Sequence, residues 1–319
     1  MLARVADSLY WMSRYLERAE HTARLLSVQY NLSLDATSAA AGQRWNRLLS
    51  GLRTPIDDGR RYDHDPYQFI RRMAFDADNS NSIVACVAVA RENARQVREQ
   101  ISSEMWEQLN RLYLYTRDPE TMQAWDDQPQ RFFTAIKEGA HLFQGITDST
   151  LTHGEGWRFI QLGRYIERTI SIAALLDVHF SVFPQAPDRA VSLEEYFEWL
   201  GLLKCCTAFE AYCKVYMAEL RPDHIAEFLL CNRAFPHSVH YSVERVQHAL
   251  DAIADLTGTS HSSPVQRLAG RLLALVAYTG IDEIMANLHQ HLQAIQGQCM
   301  EIHEAMVAQY IAYGIEAAL

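Results

Sequence analysis

The stretch LYWMSRYLERAEHTARLLSV, from Leu9 to Val28, decides the fold, because FIQLGRYIERTISIAALLDV, from Phe159 to Val178, repeats its pattern 150 residues on. In the first stretch and just beyond it, Leu9, Met12, Leu16, Ala19, Ala23, Leu26 and Tyr30 recur at alternating spacings of three and four. That rhythm places them on one stripe of an α-helix and predicts a helix from about Val5 to Leu32. The second stretch keeps the stripe as Phe159, Leu162, Ile166, Thr169, Ala173, Leu176 and Phe180. Laid over each other, Arg14, Tyr15, Glu17, Arg18, Ala23, Leu25, Leu26 and Val28 meet Arg164, Tyr165, Glu167, Arg168, Ala173, Leu175, Leu176 and Val178.

Farther along, Phe69, Phe75 and Ser82-Ile83 have a looser counterpart in Phe228, Phe235 and Ser238-Val239. The pattern predicts an all-α, multi-helix bundle formed by two diverged copies of one helical unit, about 1–150 and 151–319, with approximate twofold symmetry. A period this long does not suit a solenoid, whose units recur every 20 to 50 residues or so, so the halves should share a core. Ile83, Val87, Ala90, Ala94, Val97 and Ile101, followed by Met105, Leu109 and Leu112, predict one long helix or two broken near Ser102-Ser103. Ser192 to Glu195 has capping-box spacing, and Pro222 and Pro264 suit first-turn positions. A last long helix is expected from about Ile281 to Tyr313, and a surface loop from about Phe180 to Val191.

With 319 residues, 49% of them hydrophobic and 21% charged, the chain has an ordinary globular composition and enough length for a sizeable core. A formal charge of −10 without a compensating basic block argues against nucleic-acid binding. The six cysteines form no CxxC pair and read as reduced core thiols. Asp7 interrupts what would be the apolar region of an export signal, and no run of about 18 apolar residues occurs, so a cytoplasmic location with no membrane segment is expected.

Catalytic and metal motifs are sparse. Glu138 and His141 have the Glu-x-x-His spacing of half a di-iron site, but no second copy accompanies them. His289 with His291, and Glu301 with His303, stand two apart and so fall on different helix faces. Neither a metal nor a cofactor is expected, and no nucleophile elbow or phosphate loop occurs. The aromatic run Trp106, Tyr113, Tyr115 and Trp125 reads as core packing ahead of a groove lining.

On a helical wheel, Trp11, Arg14, Arg18, His21 and Leu25 cluster nearly opposite the apolar stripe, and Trp157, Gln161, Arg164, Arg168, Ser171 and Leu175 do the same in the second stretch. Like charges four apart disfavour a lone helix by a few tenths of a kcal/mol, so something outside the helix must compensate. One solution is mutual pairing, in which Arg14 or Arg18 reaches Glu167 while Arg164 or Arg168 reaches Glu17. Another is an anion site, with the guanidinium forks holding a carboxylate or phosphate and the glutamates orienting them. The candidate residues are therefore Arg14, Glu17, Arg18, His21, Arg164, Glu167 and Arg168.

RVADSLYWMSRYLERAEHTARLL (Arg4 to Leu26), ENARQVREQISSEMWEQLNRLYL (Glu92 to Leu114), GWRFIQLGRYIER (Gly156 to Arg168) and AEFLLCNRAFPHSV (Ala226 to Val239) together resemble the alpha-E family, bacterial helical domains named for a Glu-Arg motif. The resemblance covers nearly the whole chain and implies a single domain over residues 1–319. It also implies a setting beside circularly permuted ATP-grasp proteins and transglutaminase-like peptidases, hence amide-bond synthesis or modification of a peptide. The motif maps to Glu17-Arg18 and Glu167-Arg168, and the copies diverge at Ala19-Glu20 against Thr169-Ile170. The expected function is a non-catalytic helical partner or substrate-presenting subunit of an ATP-grasp amide ligase. The alternative is an enzyme acting on a carboxylate- or phosphate-bearing peptide, with Glu17 or Glu167 as acid or base and the arginines as anion clamp.

Overall fold

Helix α1 (Ala3–Leu34) and helix α7 (Glu155–Val182) lie side by side and form the most extensive helix pair of the molecule. The structure is a computed structural model that describes residues 1–34, 51–52, 66–183, 192–217 and 219–312. Those residues form fourteen α-helices and no strand. Between α1 and α7 come α2 (Pro66–Phe75), α3 (Ile83–Gln96), α4 (Ser103–Arg117), α5 (Pro119–Asp127) and α6 (Pro129–Thr150). After α7 follow α8 (Leu193–Cys205), α9 (Phe209–Tyr216), α10 (Pro222–Cys231), α11 (Val239–Thr257), α12 (Pro264–Tyr278), α13 (Ile281–Ala286) and α14 (Leu288–Met306).

Helix α7 runs through the middle, since every residue from Phe159 to Ile170 is buried. Helices α3 and α6 pack on α1, while α11 and α14 pack on α7. The apolar stripe of α1 is in the core, with Leu9, Met12, Ala19, Ala23 and Leu26 fully enclosed. Burying such side chains contributes about 1.5–3 kcal/mol each for the larger ones, which is what holds two long helices with charged interiors together. The backbones of α1 and α7 come close at Gly163. A Cβ there would lie 2.4 Å from the Tyr10 carbonyl oxygen, so only glycine fits.

Local chemistry sets the helix starts. Ser82 and Ser238 cap α3 and α11 by accepting hydrogen bonds from the backbone N–H groups of Ala85 and Tyr241. Ser192 and Glu195 complete the expected capping box, and Pro222 and Pro264 stand in the first turns of α10 and α12. The long apolar run after Ile83 is two helices, because Val97 leaves the helical region and a short 3₁₀ turn, Arg98–Gln100, precedes a restart capped by Ser102. The helix expected from Ile281 to Tyr313 is also divided. Asn287, at φ −137° and ψ 38°, separates α13 from α14, and a π turn over Val307–Ile311 follows. The loop expected from Phe180 begins later, as α7 continues to Val182; residues 184–191 and Tyr313 lie outside the described residues.

Candidate functional site: a crossed arginine–glutamate network

Much of the strip expected to face away from the core is itself inside the protein, while Trp11, Arg18 and His21 are half-buried. Arg14 is 4% exposed, Arg164 and Arg168 are each 6% exposed, and Leu25 is fully enclosed. The wheel argument assumed one buried face, but α1 and α7 have neighbours on several sides. The charged residues therefore meet at the α1–α7 seam.

There the two helices exchange partners. Arg14 Nε donates to Glu167 Oε2 at 2.8 Å, its Nη2 lies 2.7 Å from the same oxygen, and Arg18 Nε donates to Glu167 Oε1 at 2.6 Å. In the other direction, Arg168 donates to Glu17 through Nε at 2.6 Å and Nη2 at 3.1 Å, forming a two-point fork. Gln144 Nε2 of α6 adds a further bond to Glu17 Oε2 at 3.2 Å. The remaining contacts correspond as well. Arg18 Nη1 donates to Asn81 Oδ1 just before α3, and Arg168 Nη1 donates to the Pro236 carbonyl just before α11. Tyr15 lies under the Arg18 guanidinium at 5.1 Å and Tyr165 under that of Arg168 at 5.2 Å.

Correspondence ends at Arg164. Mutual pairing required Arg164 or Arg168 on Glu17, and it is Arg168 that arrives; among the described residues no ion pair of Arg164 occurs. The Arg14 position is filled out differently, for its Nη1 donates to the Tyr10 hydroxyl at 3.2 Å, and that hydroxyl lies 3.0 Å from His303 Nδ1 on α14.

Electrostatics follow from this geometry. Burial on its own would raise the Glu167 carboxyl, but Arg14 and Arg18 outweigh it and hold it down to about 2. Burial likewise works against the charge on Arg14, yet Glu167 and Tyr10 keep its pKa above the ordinary value. The Tyr10 hydroxyl is pushed up to about 12 by burial, with Arg14 opposing. His303 is lowered by burial and then by Arg14, and His21 by burial against the pull of Glu20 and Glu17. At neutral pH the seam thus holds ionised arginines and an ionised Glu167, with uncharged histidines beside them.

Two features border the seam. One is a cavity of about 290 Å³, lined by Trp11, Arg14, Arg18, His21, Glu167 and His303 together with Thr22, Gly51, Leu52, Asn81 and residues of α7 and α14. The other is a polar cluster around buried Glu20, whose carboxylate accepts from Arg24 and has His141 Nε2 at 3.5 Å. Burial would raise Glu20, but His141, Arg24 and His237 together lower it. The second stretch has Ile170, Ser171 and Ala174 where the first has Glu20, His21 and Arg24, so α7 has no counterpart of this cluster.

Of the seven candidate residues, Arg14, Glu17, Arg18, Glu167 and Arg168 are brought into two crossed ion-pair sets along one seam, His21 lines the cavity, and Arg164 stands apart. Sequence reasoning missed Tyr10, Asn81, Gln144 and His303. Tyr10 sits four before Arg14 on the same helix and could have been found by spacing; the others come from distant elements and carry no local signal. Among the described residues no group of three or more His, Cys, Asp or Glu is placed to hold a metal. His289 instead pairs with Asp177 at 2.6 Å. Burial pushes the Cys86 and Cys206 thiols to about 12 and Cys205 upward, which suppresses nucleophilic thiolate. Trp125 is core, as the aromatic run suggested, while Trp106 and Tyr113 flank Arg91.

Residues 1–311 match the Alpha-E family, described as a predicted alpha-helical domain with a conserved ER motif, and the chain belongs to that family. It is also similar to an uncharacterized protein of Mycobacterium bovis and to two of Mycobacterium tuberculosis, at 24% identity over 97% of this chain. The chain spans 37% of the length of these relatives. No solved structure matches it. No helix among the described residues is long and apolar enough to cross a membrane.

Proposed function

We propose that the protein is a non-catalytic helical partner of a circularly permuted ATP-grasp amide ligase, working in the cytoplasm and presenting a peptide to be extended or modified. The observation that carries this reading is that both motif glutamates are already engaged: Glu167 by Arg14 and Arg18, Glu17 by Arg168 and Gln144. A carboxyl held at about 2 is a poor base at neutral pH, because an effective general base has a pKa near the working pH. The Glu-Arg motif then serves as the register device of a scaffold. The greater length of the mycobacterial relatives supports a unit that works joined to other parts.

The reading includes a duplication. Exchange of Glu17–Arg168 for Glu167–Arg18, the matched loop contacts of Asn81 and Pro236, and the Ser82 and Ser238 caps support two diverged copies about an approximate twofold passing between α1 and α7.

The test is co-expression with the circularly permuted ATP-grasp protein of the same host. The pair is expected to co-purify, and the helical protein is expected to change the ligase's rate of ATP-dependent amide formation while hydrolysing no ATP alone. Separate elution together with an unchanged ligase rate would overturn the proposal.

A further inference from the structure

The cavity beside the network carries more than the scaffold reading requires. Its charged lining is Arg14, Arg18 and Glu167, and its apolar lining is Trp11, Leu52, Ile170 and Met300. Two guanidinium groups against one carboxylate leave one positive charge in excess. That excess is concentrated on Arg18, whose side chain is 24% exposed whereas that of Arg14 is 5% exposed. Among the described residues Arg18 uses Nε and Nη1, on Glu167 and Asn81, so of the five N–H donors of an arginine the Nη2 edge is left for a ligand.

The other polar groups in this lining add no charge. His303 is tied to the Tyr10 hydroxyl, and burial keeps both His303 and His21 from protonating at neutral pH. A site with one surplus positive charge balances a monoanion, whereas a phosphate monoester carries about −1.5 to −2 at pH 7 and would leave charge uncompensated. Apolar surface beside the guanidinium groups, with the Trp11 ring 4.9 Å from Arg14, favours a ligand whose carboxylate adjoins an apolar group.

We propose that this cavity binds the terminal carboxylate of a peptide, held by Arg18 with Arg14 behind it, while the last side chain packs on Trp11, Ile170 and Met300. The assignment rests on the peptide-presenting reading above and names the chemical end that is presented. An amide ligase acts at such an end or at an amine, so a clamp on the carboxylate would leave the opposite end of the peptide free to react.

The experiment is calorimetric titration of the isolated full chain with an N-acetylated tripeptide ending in phenylalanine, the same tripeptide as its carboxyl-terminal amide, and phenyl phosphate. The free acid is expected to bind at least tenfold more tightly than the other two. Arg18→Gln and, separately, Ser171→Phe, which fills the cavity from α7, are each expected to weaken the free acid at least tenfold with helical content retained. N-acetylphenylalanine binding as tightly as the tripeptide would place recognition in the last residue alone, in support of the carboxylate clamp. Equal binding of acid and amide, tighter binding of phenyl phosphate, no binding of any probe, or full binding by Ser171→Phe would each overturn it. No ligase is present, so failure here and failure of the partnership are read separately.

Discussion

Gly163 meets the backbone of Tyr10 so closely that a methyl group on it would lie 2.4 Å from the Tyr10 carbonyl oxygen and 3.4 Å from Arg14 Cγ. This contact sets the spacing of α1 and α7 one turn before the arginine–glutamate exchange. Gly163→Ala gains about 1 kcal/mol of helix propensity and forces an overpacked contact against rigid backbone, which costs about 1–3 kcal/mol and here lies at or above the upper end. A net loss of stability is expected in urea denaturation. An unchanged midpoint would mean that the helices separate at no cost.

Glu17→Gln removes the charge that Arg168 faces inside the protein, and a broken buried pair costs about 3–5 kcal/mol. In double-mutant cycles, Glu17 and Arg168 should couple by more than about 1 kcal/mol. Glu17 and Arg164, which do not pair, should stay within the roughly 0.5 kcal/mol of independent sites. The reverse order of couplings would contradict the crossed pairing.

Tyr10→Phe deletes a hydroxyl that joins Arg14 to His303. A charged donor left without an acceptor makes the change costly, about 1.5–3 kcal/mol. The expected result is a lower denaturation midpoint with an unchanged slope. A neutral outcome would show that solvent replaces the hydroxyl.

Acid should destabilise the protein in two stages. His21, His237 and His303 are lowered from the ordinary 6.5, so the unfolded chain binds protons that the folded one does not, and stability falls as pH drops below about 6.5. Glu167 is lowered from 4.5 to about 2, so its contribution is intact above 4.5 and is lost between 4.5 and 2. Thermal melts from pH 8 to 3 should show stability decreasing through both windows, and Glu167→Gln should flatten the lower one. A melting temperature that rises on acidification would refute the assignment.

Helix content and the central pair were legible because periodicity is a local property, and Leu9 through Tyr30 repeat it without interruption. Helix ends were legible where a cap or proline marked them, as at Ser192, Pro222 and Pro264. The break before Ser102-Ser103 was one of the two readings the sequence offered, though it opens earlier, at Val97; the break at Asn287 was not expected, and tertiary packing decides it. The partners of Glu167 and Glu17 follow one of the two readings the sequence left open, mutual pairing across a seam, the other being an anion site. The choice of Arg168 over Arg164, and the arrival of Gln144, Asn81 and His303, depend on how distant helices approach and leave no trace in spacing.

Arg14 and Glu167 are separated by 153 positions in the chain, and Glu17 and Arg168 by 151. During synthesis, α1 leaves the ribosome with its arginines and glutamate exposed to water, and their counter-charges emerge only after five further described α-helices. Closing so long a loop adds entropy cost slowly with length but makes the contact a late one. The α1–α7 seam therefore closes only once α7 has emerged, and the far side of α7 stays uncovered until α11 and α14 follow, so a nascent chain halted before Arg168 has no finished interior to protect.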